Sequence, residues 1–284
     1  MMEVEVMAES SFKSAMDFKE YRELKLSEEN CEKHEVQLVY HELIRPKPFC
    51  LICAKERIDL EEQALVKRAL YSEQNKDKKW LAERSILSDT SIRNATFDTF
   101  IDKTPEEKRN KKQARLMAND FRQGKYYNVL MSGNAGAGKS HLAMAMLQAI
   151  NEHSEEPKKC LFVSTGELIR KIQDSFNNPE AHFTQDRTIS MLQEPDVLVL
   201  DDLGAESGAI KTNRTASDFI NRTLVAVLDG RQEKATITTT NLNSGEISKM
   251  YDQRLISRLY RGISKERGLL TFKETSDKRV KLDF

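Results

Sequence analysis

The chain has 284 residues, of which 32% are charged and 39% hydrophobic, and its formal net charge is zero. This length predicts one large domain or two smaller ones. Because the charge is balanced, no global field attracts nucleic acid, and any contact with DNA must come from local basic patches. No apolar run approaches the roughly 20 residues of a membrane helix, and the acidic start lacks a secretion-signal pattern. We therefore expect a cytoplasmic protein without membrane contact.

The first 30 residues alternate charged and apolar side chains at roughly helical spacing. The apolar positions that would line one side of one or two helices are Phe12, Met16, Phe18, Leu24 and Leu26. The pattern predicts a small local core or a partner-binding surface.

A cluster of potential metal ligands follows. Cys31 and His34 are separated by two residues, and so are Cys50 and Cys53. Two close pairs separated by a short loop are the spacing with which four soft donors converge on a tetrahedral zinc ion. His41 lies between the pairs and is an alternative ligand. A closed four-ligand shell predicts a structural rather than a catalytic zinc site.

A polar stretch from Asp59 to Ser88, without glycine or proline, predicts a helical connector. Thr104 before a proline and two glutamates predicts a helix start, and that helix should reach Gln123. The chain thus divides into three predicted parts, which are a zinc module over residues 1–60, a linker over 61–95 and a larger domain over 96–284.

A glycine-rich segment in this larger domain has the pattern of a phosphate-binding loop. The segment consists of Gly133, Asn134, Ala135, Gly136, Ala137, Gly138, Lys139 and Ser140. A short apolar strand precedes it and an apolar run of helix formers follows, which is the context that the chemistry requires. We expect Lys139 to reach the β- and γ-phosphates and Ser140 to ligate magnesium.

An acidic pair follows a second apolar strand. Val197 to Leu200 reads as a buried strand of a parallel sheet, and Asp201 and Asp202 come directly after it. Ligands bind open α/β sheets at the carboxyl ends of the strands. We therefore expect Asp201 to hold magnesium, directly or through water, and Asp202 to polarise the attacking water.

Three further polar residues belong to the predicted site or are candidates for it. The β-branched run from Ala235 ends in Asn241, which can orient water against the γ-phosphate. Arg254 and Arg258 lie four residues apart on one predicted helix face. They form either a solvated basic face or a finger that reaches the nucleotide of a neighbouring subunit.

With these motifs in place, the chain from Phe97 onward resembles the AAA+ ATPases, and more narrowly the helicase loaders of the DnaC/DnaI type. The segments that carry the resemblance are Gly133 to His141, Leu200 to Gly204, Thr238 to Leu242 and Tyr251 to Leu259. The resemblance implies that His141 belongs to the nucleotide-binding segment. It also implies that Asn241 is sensor 1, Arg258 the trans-acting arginine finger and Arg279, in the closing segment, sensor 2.

The resemblance implies an α/β fold with a parallel-sheet P-loop AAA+ ATPase core and a small N-terminal zinc-binding domain. The implied function is ATP-dependent loading of a replicative hexameric helicase onto single-stranded DNA, with ATP, Mg²⁺ and Zn²⁺ as cofactors. The expected partners are the helicase, single-stranded DNA and further copies of the chain when ATP is bound.

Two departures from the AAA+ pattern are visible. The Asp201-Asp202 pair stands where many AAA+ enzymes have Asp-Glu, which implies slow hydrolysis, and a full C-terminal helical lid is not evident. Two alternatives stay open, which are a transposition-helper ATPase of the IstB type and a helicase-binding adaptor in which the nucleotide is only structural.

Overall fold

In the computed structural model the chain divides into two compact units, with the boundary between Glu73 and Gln74. The structure describes residues 24–42, 45–176, 180–207, 217–264 and 266–278. The division at residues 60 and 95 stays a prediction. Within the described part of the chain, no helix combines the length and apolar character needed to span a bilayer.

The first unit contains a three-stranded antiparallel sheet followed by a long helix. The strands β1 (Lys25–Asn30), β2 (Gln37–His41) and β3 (Arg45–Phe49) are ordered β1-β2-β3, and the helix α1 spans Leu51–Gln74. Because β1 and β3 both run antiparallel to the strand between them, their carboxyl ends lie at the same edge. The residues directly after these two strands, Cys31 and Cys50, are therefore brought together.

The helical prediction for the end of the first 30 residues was wrong, because Lys25–Asn30 is a strand. Leu26 is 65% exposed and contributes to no core. Pairing with β2 satisfies the backbone of this polar segment, and such tertiary pairing overrides a weak local preference. Phe12, Met16 and Phe18 lie outside the described residues.

The second unit is built on a five-stranded parallel sheet in the order β5-β6-β7-β4-β8. Its strands are β4 (Val129–Gly133), β5 (Cys160–Ser164), β6 (Val197–Leu203), β7 (Ala235–Thr240) and β8 (Leu269–Phe272). The first four were predicted, and β8 was not, since four residues after a turn carry no periodic signal. The order inserts β7 between the strand that precedes the glycine-rich loop and the strand that carries the acidic pair.

Helices cover both faces of this sheet, as predicted. They are α2 (Lys79–Arg84), α3 (Pro105–Arg122), α4 (Lys139–His153), α5 (Thr165–Asp174), α6 (Gln185–Gln193), α7 (Asp218–Asp229), α8 (Ser244–Met250) and α9 (Gln253–Leu259), with 3₁₀ turns at Thr90–Asn94 and Ala205–Ser207. One apolar core includes α3 and α4, and the other includes α5 to α9. The predicted cap of α3 is confirmed, because Thr104 and Glu107 form a reciprocal capping box with Pro105 at the first helical position.

The segment before α3 covers one edge of the sheet. Trp80 and Leu81 are buried. The Ile86 N–H donates to the Phe162 carbonyl at 2.8 Å, and the Ser164 N–H donates to the Ile86 carbonyl at 2.8 Å. This short parallel bridge satisfies part of the otherwise open edge of β5, so the second half of the expected connector packs on the larger unit.

Candidate nucleotide site and candidate metal centre

The glycine-rich loop leaves the sheet at the end of β4 and leads into α4. Gly133 and Gly138 have φ angles of 132° and 93°, which only glycine adopts readily. A Cβ atom on Gly133 would lie 2.1 Å from the Phe272 carbonyl oxygen, and one on Gly138 would lie 2.7 Å from the Phe100 ring. The glycines therefore allow the backbone to turn into the start of α4, where a phosphate can bind. They also allow the loop to pack closely against Phe272 and Phe100.

Lys139, the first residue of α4, joins the loop to the neighbouring strand. It is 6% exposed. Its Nζ donates to the carbonyls of Gly133 at 2.8 Å and Asn134 at 2.7 Å, and to Asn241 Oδ1 at 2.8 Å. The ammonium group is thus held between the loop and the end of β7, where the sequence predicts the terminal phosphates.

Asp201 lies at the carboxyl end of β6 and is 4% exposed. Burial raises the pKa of its carboxyl group, against the hydrogen bonds from Thr239 and Ser140, which lower it. Asp201 Oδ1 accepts a hydrogen bond from Thr239 Oγ1 at 2.7 Å. Ser140, the other predicted magnesium ligand, acts on the same carboxyl group through a hydrogen bond, and the oxygens of both residues are donors that Mg²⁺ prefers.

Asp202 has a left-handed backbone with a φ of 56°, unusual for a residue other than glycine. Its N–H donates to Thr239 Oγ1 at 2.9 Å, and its Oδ1 accepts from Asn241 Nδ2 at 3.0 Å. Asn241 therefore bridges Lys139 and Asp202. A cation for phosphates, a carboxylate for water and an amide between them form the arrangement expected of a triphosphate-hydrolysing site.

A C-terminal segment, residues 273–278, lies across the loop. Asn134 Nδ2 donates to the carbonyls of Lys273 and Thr275, each at 3.1 Å. The Lys278 N–H donates to the Gly136 carbonyl at 3.1 Å. We call these residues the C-terminal strap. Arg279, the predicted sensor 2, lies outside the described residues, so its role stays a prediction.

The C-terminal strap is anchored by Glu106, a buried acid at the start of α3. Its carboxylate accepts from the N–H of Lys273 at 2.9 Å, from the N–H of Thr275 at 2.9 Å and from Thr275 Oγ1 at 2.7 Å. Burial works to raise the pKa of Glu106, but these hydrogen bonds outweigh it and the pKa is lowered. The sequence pattern predicts Glu106 only as one of the two glutamates at the start of a helix.

His141 contacts the segment before α3. Its Nε2 lies 3.0 Å from the Thr96 carbonyl and 3.1 Å from Thr99 Oγ1, and its ring meets the Phe100 ring edge-on. Burial lowers the pKa of His141, which favours the neutral form of the ring. These contacts fix residues 96–100 against α4, and the predicted contact of His141 with nucleotide stays a prediction.

Arg258 lies on α9, away from Lys139. Its Nε donates to Asp229 Oδ1 at 2.7 Å, and its carbonyl accepts from Asn128 Nδ2 at 2.6 Å. Asn128 directly precedes β4, and Asp229 ends the helix before β7. Arg258 therefore lies toward the amino ends of these strands, whereas Lys139 lies at their carboxyl ends. A role for Arg258 at a nucleotide requires a neighbouring copy.

In the first unit, Cys31, His34, Cys50 and Cys53 bring their ligand atoms within 4.8 Å of one another. The His34 Nδ1 lies 3.7, 3.6 and 3.3 Å from the sulfurs of the three cysteines in chain order. A tetrahedral zinc ion with bonds of about 2.3 Å to sulfur and about 2.0 Å to nitrogen places its ligands roughly 3.5–3.8 Å apart. The donor set and its spacing fit zinc, and His41 is not part of the group.

The surroundings of this cluster support metal binding. The His34 Nε2 lies 3.2 Å from Glu56 Oε1, a contact that turns Nδ1 toward the sulfurs, as carboxylates do for metal-binding histidines. Hydrogen bonds from the backbone of His34 and Lys33 lower the pKa of the Cys31 thiol to about 6, whereas burial raises the pKa of the neighbouring Cys53 thiol to about 11. A thiolate is the form that binds metal.

The fold and the site together define a P-loop AAA+ ATP-binding core, joined to a small unit with a candidate zinc centre. Residues 65–273 match the model of the family described as IstB-like ATP binding protein. The chain belongs to this family.

Two curated relatives show where the similarity lies. The chain is 26% identical to the replicative helicase loader DnaC of Escherichia coli (strain K12) over 154 residues, 54% of this chain and 57% of that protein. It is 30% identical to an insertion sequence ATP-binding protein of Sinorhizobium fredii over 137 residues, 48% of this chain and 41% of that protein. The chain thus spans less than two thirds of the length of each relative.

Solved structures agree with this assignment. The crystal structure of the DnaC helicase loader matches with a TM-score of 0.53 at 25% identity, over 65% of this chain and 100% of that chain. The crystal structure of DnaI matches with a TM-score of 0.52 at 18% identity, over 66% of this chain and 95% of that chain, and shows the fold alone.

Proposed function

We propose that the protein is an ATP-dependent loader of a replicative hexameric helicase onto single-stranded DNA at the initiation of replication. The observation that carries the proposal is the hydrogen-bonded series Lys139–Asn241–Asp202 in a core similar to the replicative helicase loader DnaC. The series ties a phosphate-binding cation to a water-orienting carboxylate, so the state of the terminal phosphate changes the shape of the site.

In this proposal each residue of the site has a defined task. Lys139 binds the β- and γ-phosphates, and Ser140 and Asp201 hold magnesium, which neutralises phosphate charge when bound. Asp202 polarises the attacking water, and Asn241 senses the γ-phosphate. Hydrolysis is slow because an aspartate reaches less far than a glutamate at the second acidic position.

The first unit is proposed to grip the helicase, with zinc held by Cys31, His34, Cys50 and Cys53 as its structural support. ATP-bound copies assemble side by side, and Arg258 of one copy completes the site of the next. The core binds single-stranded DNA in this assembly.

A helicase-loading assay on circular single-stranded DNA tests the proposal. We expect the wild-type protein to load the helicase only with ATP and Lys139→Ala to lose both ATP binding and loading. Lys112→Ala is the matched control, since Lys112 is an exposed lysine on α3. Unchanged ATP affinity in Lys139→Ala would refute the proposed nucleotide site. ATP-independent loading would favour an adaptor with a structural nucleotide.

A transposition-helper ATPase is the second candidate, because the matching family is IstB-like and an insertion sequence protein is among the relatives. The zinc-ligand cluster in a separate unit favours the loader, since helpers of this kind typically lack it. Parallel pull-downs against a hexameric helicase and a transposase, with binding to single- and double-stranded DNA, separate the two. Binding to transposase and duplex alone would establish the helper.

A further inference from the structure

Glu206 is an acidic residue that the proposed reaction does not use. It lies in the 3₁₀ turn Ala205–Ser207, four residues after Asp202. Desolvation raises the pKa of its carboxyl group, against hydrogen bonds from Tyr251, Gly204 and Thr165. Burying an ionisable acid costs free energy unless its oxygens are hydrogen-bonded. The contacts of Glu206 beside Asp201 and Asp202 therefore indicate a structural role.

One oxygen of Glu206 fixes the turn that carries the acidic pair. Its Oε2 accepts from the Gly204 N–H at 2.9 Å and lies 3.0 Å from Thr165 Oγ1. The same Thr165 hydroxyl lies 3.1 Å from the Asp201 carbonyl and 3.0 Å from the Asp202 carbonyl. This half of the carboxyl group is therefore linked, through Gly204 and Thr165, to the backbone at Asp201, the predicted magnesium ligand, and at Asp202, the catalytic candidate.

The other oxygen of Glu206 contacts the short link between α8 and α9, the helix that carries Arg258. Glu206 Oε1 accepts a hydrogen bond from the Tyr251 hydroxyl. Tyr251 is 4% exposed. It directly precedes Asp252, whose side chain caps α9 by accepting from the Leu255 N–H at 2.7 Å. The ring is thus fixed in the core at the point where α9 begins.

We propose that Glu206 is a positioning residue that, through Tyr251, ties the turn of Asp201 and Asp202 to the helix that presents Arg258 to the neighbouring copy. The inference rests on the proposed ATPase function and deepens it. One carboxyl group bridges two elements that are separate in sequence, so the arginine helix holds its position relative to the acidic turn. Loss of the bridge leaves nucleotide binding intact and misplaces the arginine.

The test uses two full-length variants, Tyr251→Phe and Glu206→Gln, with Ser248→Ala as control because Ser248 is an exposed hydroxyl on the adjacent helix α8. We expect ATP affinity within about twofold of wild type and kcat lowered about tenfold, because a misplaced reacting group lowers the rate more than it lowers binding. Thermal melting confirms folding. Unchanged kcat in Tyr251→Phe and Glu206→Gln refutes the coupling.

A mixing experiment separates positioning of Arg258 from a local effect. Lys139→Ala subunits, which supply only an arginine, are mixed with Arg258→Ala subunits, which supply only a nucleotide site. Adding Tyr251→Phe to the Lys139→Ala subunit should lower turnover of the mixture about tenfold, although the nucleotide site of that subunit is already inactive. Equal turnover with and without Tyr251→Phe overturns the proposal.

The failures can be told apart. A mixture without any turnover refutes Arg258 as a trans-acting group, and the positioning role of Glu206 with it. Wild-type protein without ATP turnover refutes the proposed ATPase function itself. Normal wild-type turnover that Lys139→Ala abolishes and Tyr251→Phe leaves unchanged refutes only the role of Glu206.

Discussion

At the scale of single residues, Thr239 organises the acidic pair. Its hydroxyl donates to Asp201 Oδ1 at 2.7 Å and accepts from the Asp202 N–H at 2.9 Å. One side chain on β7 therefore orients a carboxylate on β6 and supports the strained backbone beside it. The pattern of the sequence marks Thr239 only as a strand residue.

Thr239→Val should keep the volume of the side chain and lose both hydrogen bonds. Because such supporting contacts are typically worth 10–100-fold, we expect ATP turnover to fall by roughly that factor and to require more Mg²⁺. Turnover measured across a Mg²⁺ titration checks this. Thr238→Val, at the next buried threonine on the strand, is the control, and equal Mg²⁺ dependence in all three proteins would contradict the role.

At the scale of elements, two short β-strands with a common direction deliver two cysteines to one edge of the small sheet. Among the described residues of this unit, few apolar side chains are buried. Small units of this kind need an additional stabilising link, such as a bound metal ion, to stay folded. We therefore expect its fold to depend on zinc.

Cys50→Ser should lose the zinc, lowering its content from about one ion per chain to near zero. We expect the first unit to become sensitive to proteolysis while ATP affinity stays unchanged, because the nucleotide site lies in the other unit. Metal analysis and limited proteolysis measure both effects. Cys160→Ala is the matched control, since Cys160 is buried in β5 outside the cluster. No zinc in the wild-type protein would dismiss the site.

The contact between α3 and the C-terminal strap is a second element-scale feature, and it predicts a pH dependence. The pKa of Glu106 is lowered in the folded protein. Such a group contributes stability that is present above its unfolded pKa and is lost as pH falls through the folded pKa. Glu106→Gln should reduce the free energy of unfolding by about 1–3 kcal/mol at pH 7.

Urea denaturation at several pH values measures this difference. The gap between wild type and Glu106→Gln should shrink as pH falls below about 4. Glu155→Gln, at an exposed acid, should show no gap at any pH. A gap for Glu106→Gln that stays constant into acid would show that the charge of the carboxylate is not responsible.

At the scale of the whole molecule, Arg258 lies toward the amino ends of the strands, so its proposed role at a nucleotide needs a second copy of the chain. We expect Arg258→Ala to bind ATP with wild-type affinity and to lower turnover by at least about 10³-fold, the scale of a trans-acting arginine. Turnover and ATP-dependent sedimentation measure the loss. Arg254→Ala, one helical turn earlier, is the comparison, and a larger loss there would transfer the role to Arg254.

The sequence by itself determined the glycine-rich loop, the acidic pair, the four zinc-ligand candidates and four of the five parallel strands. These features depend on residues close together in the chain, whose spacing and apolar character are visible without a fold. It determined none of β1, β2, β3 and β8, because these short segments are extended through pairing with a partner strand.

Only the tertiary structure decided which distant residues meet. The placement of β7 between β4 and β6 brings Asn241 between Lys139 and Asp202, and it aims Thr239 at the acidic pair. Glu106 contacts the C-terminal strap across more than half the chain, and Glu206 contacts Tyr251, which is 45 residues away in the sequence. These contacts follow from strand order and packing, which are set by burial over the whole unit and not by any local pattern.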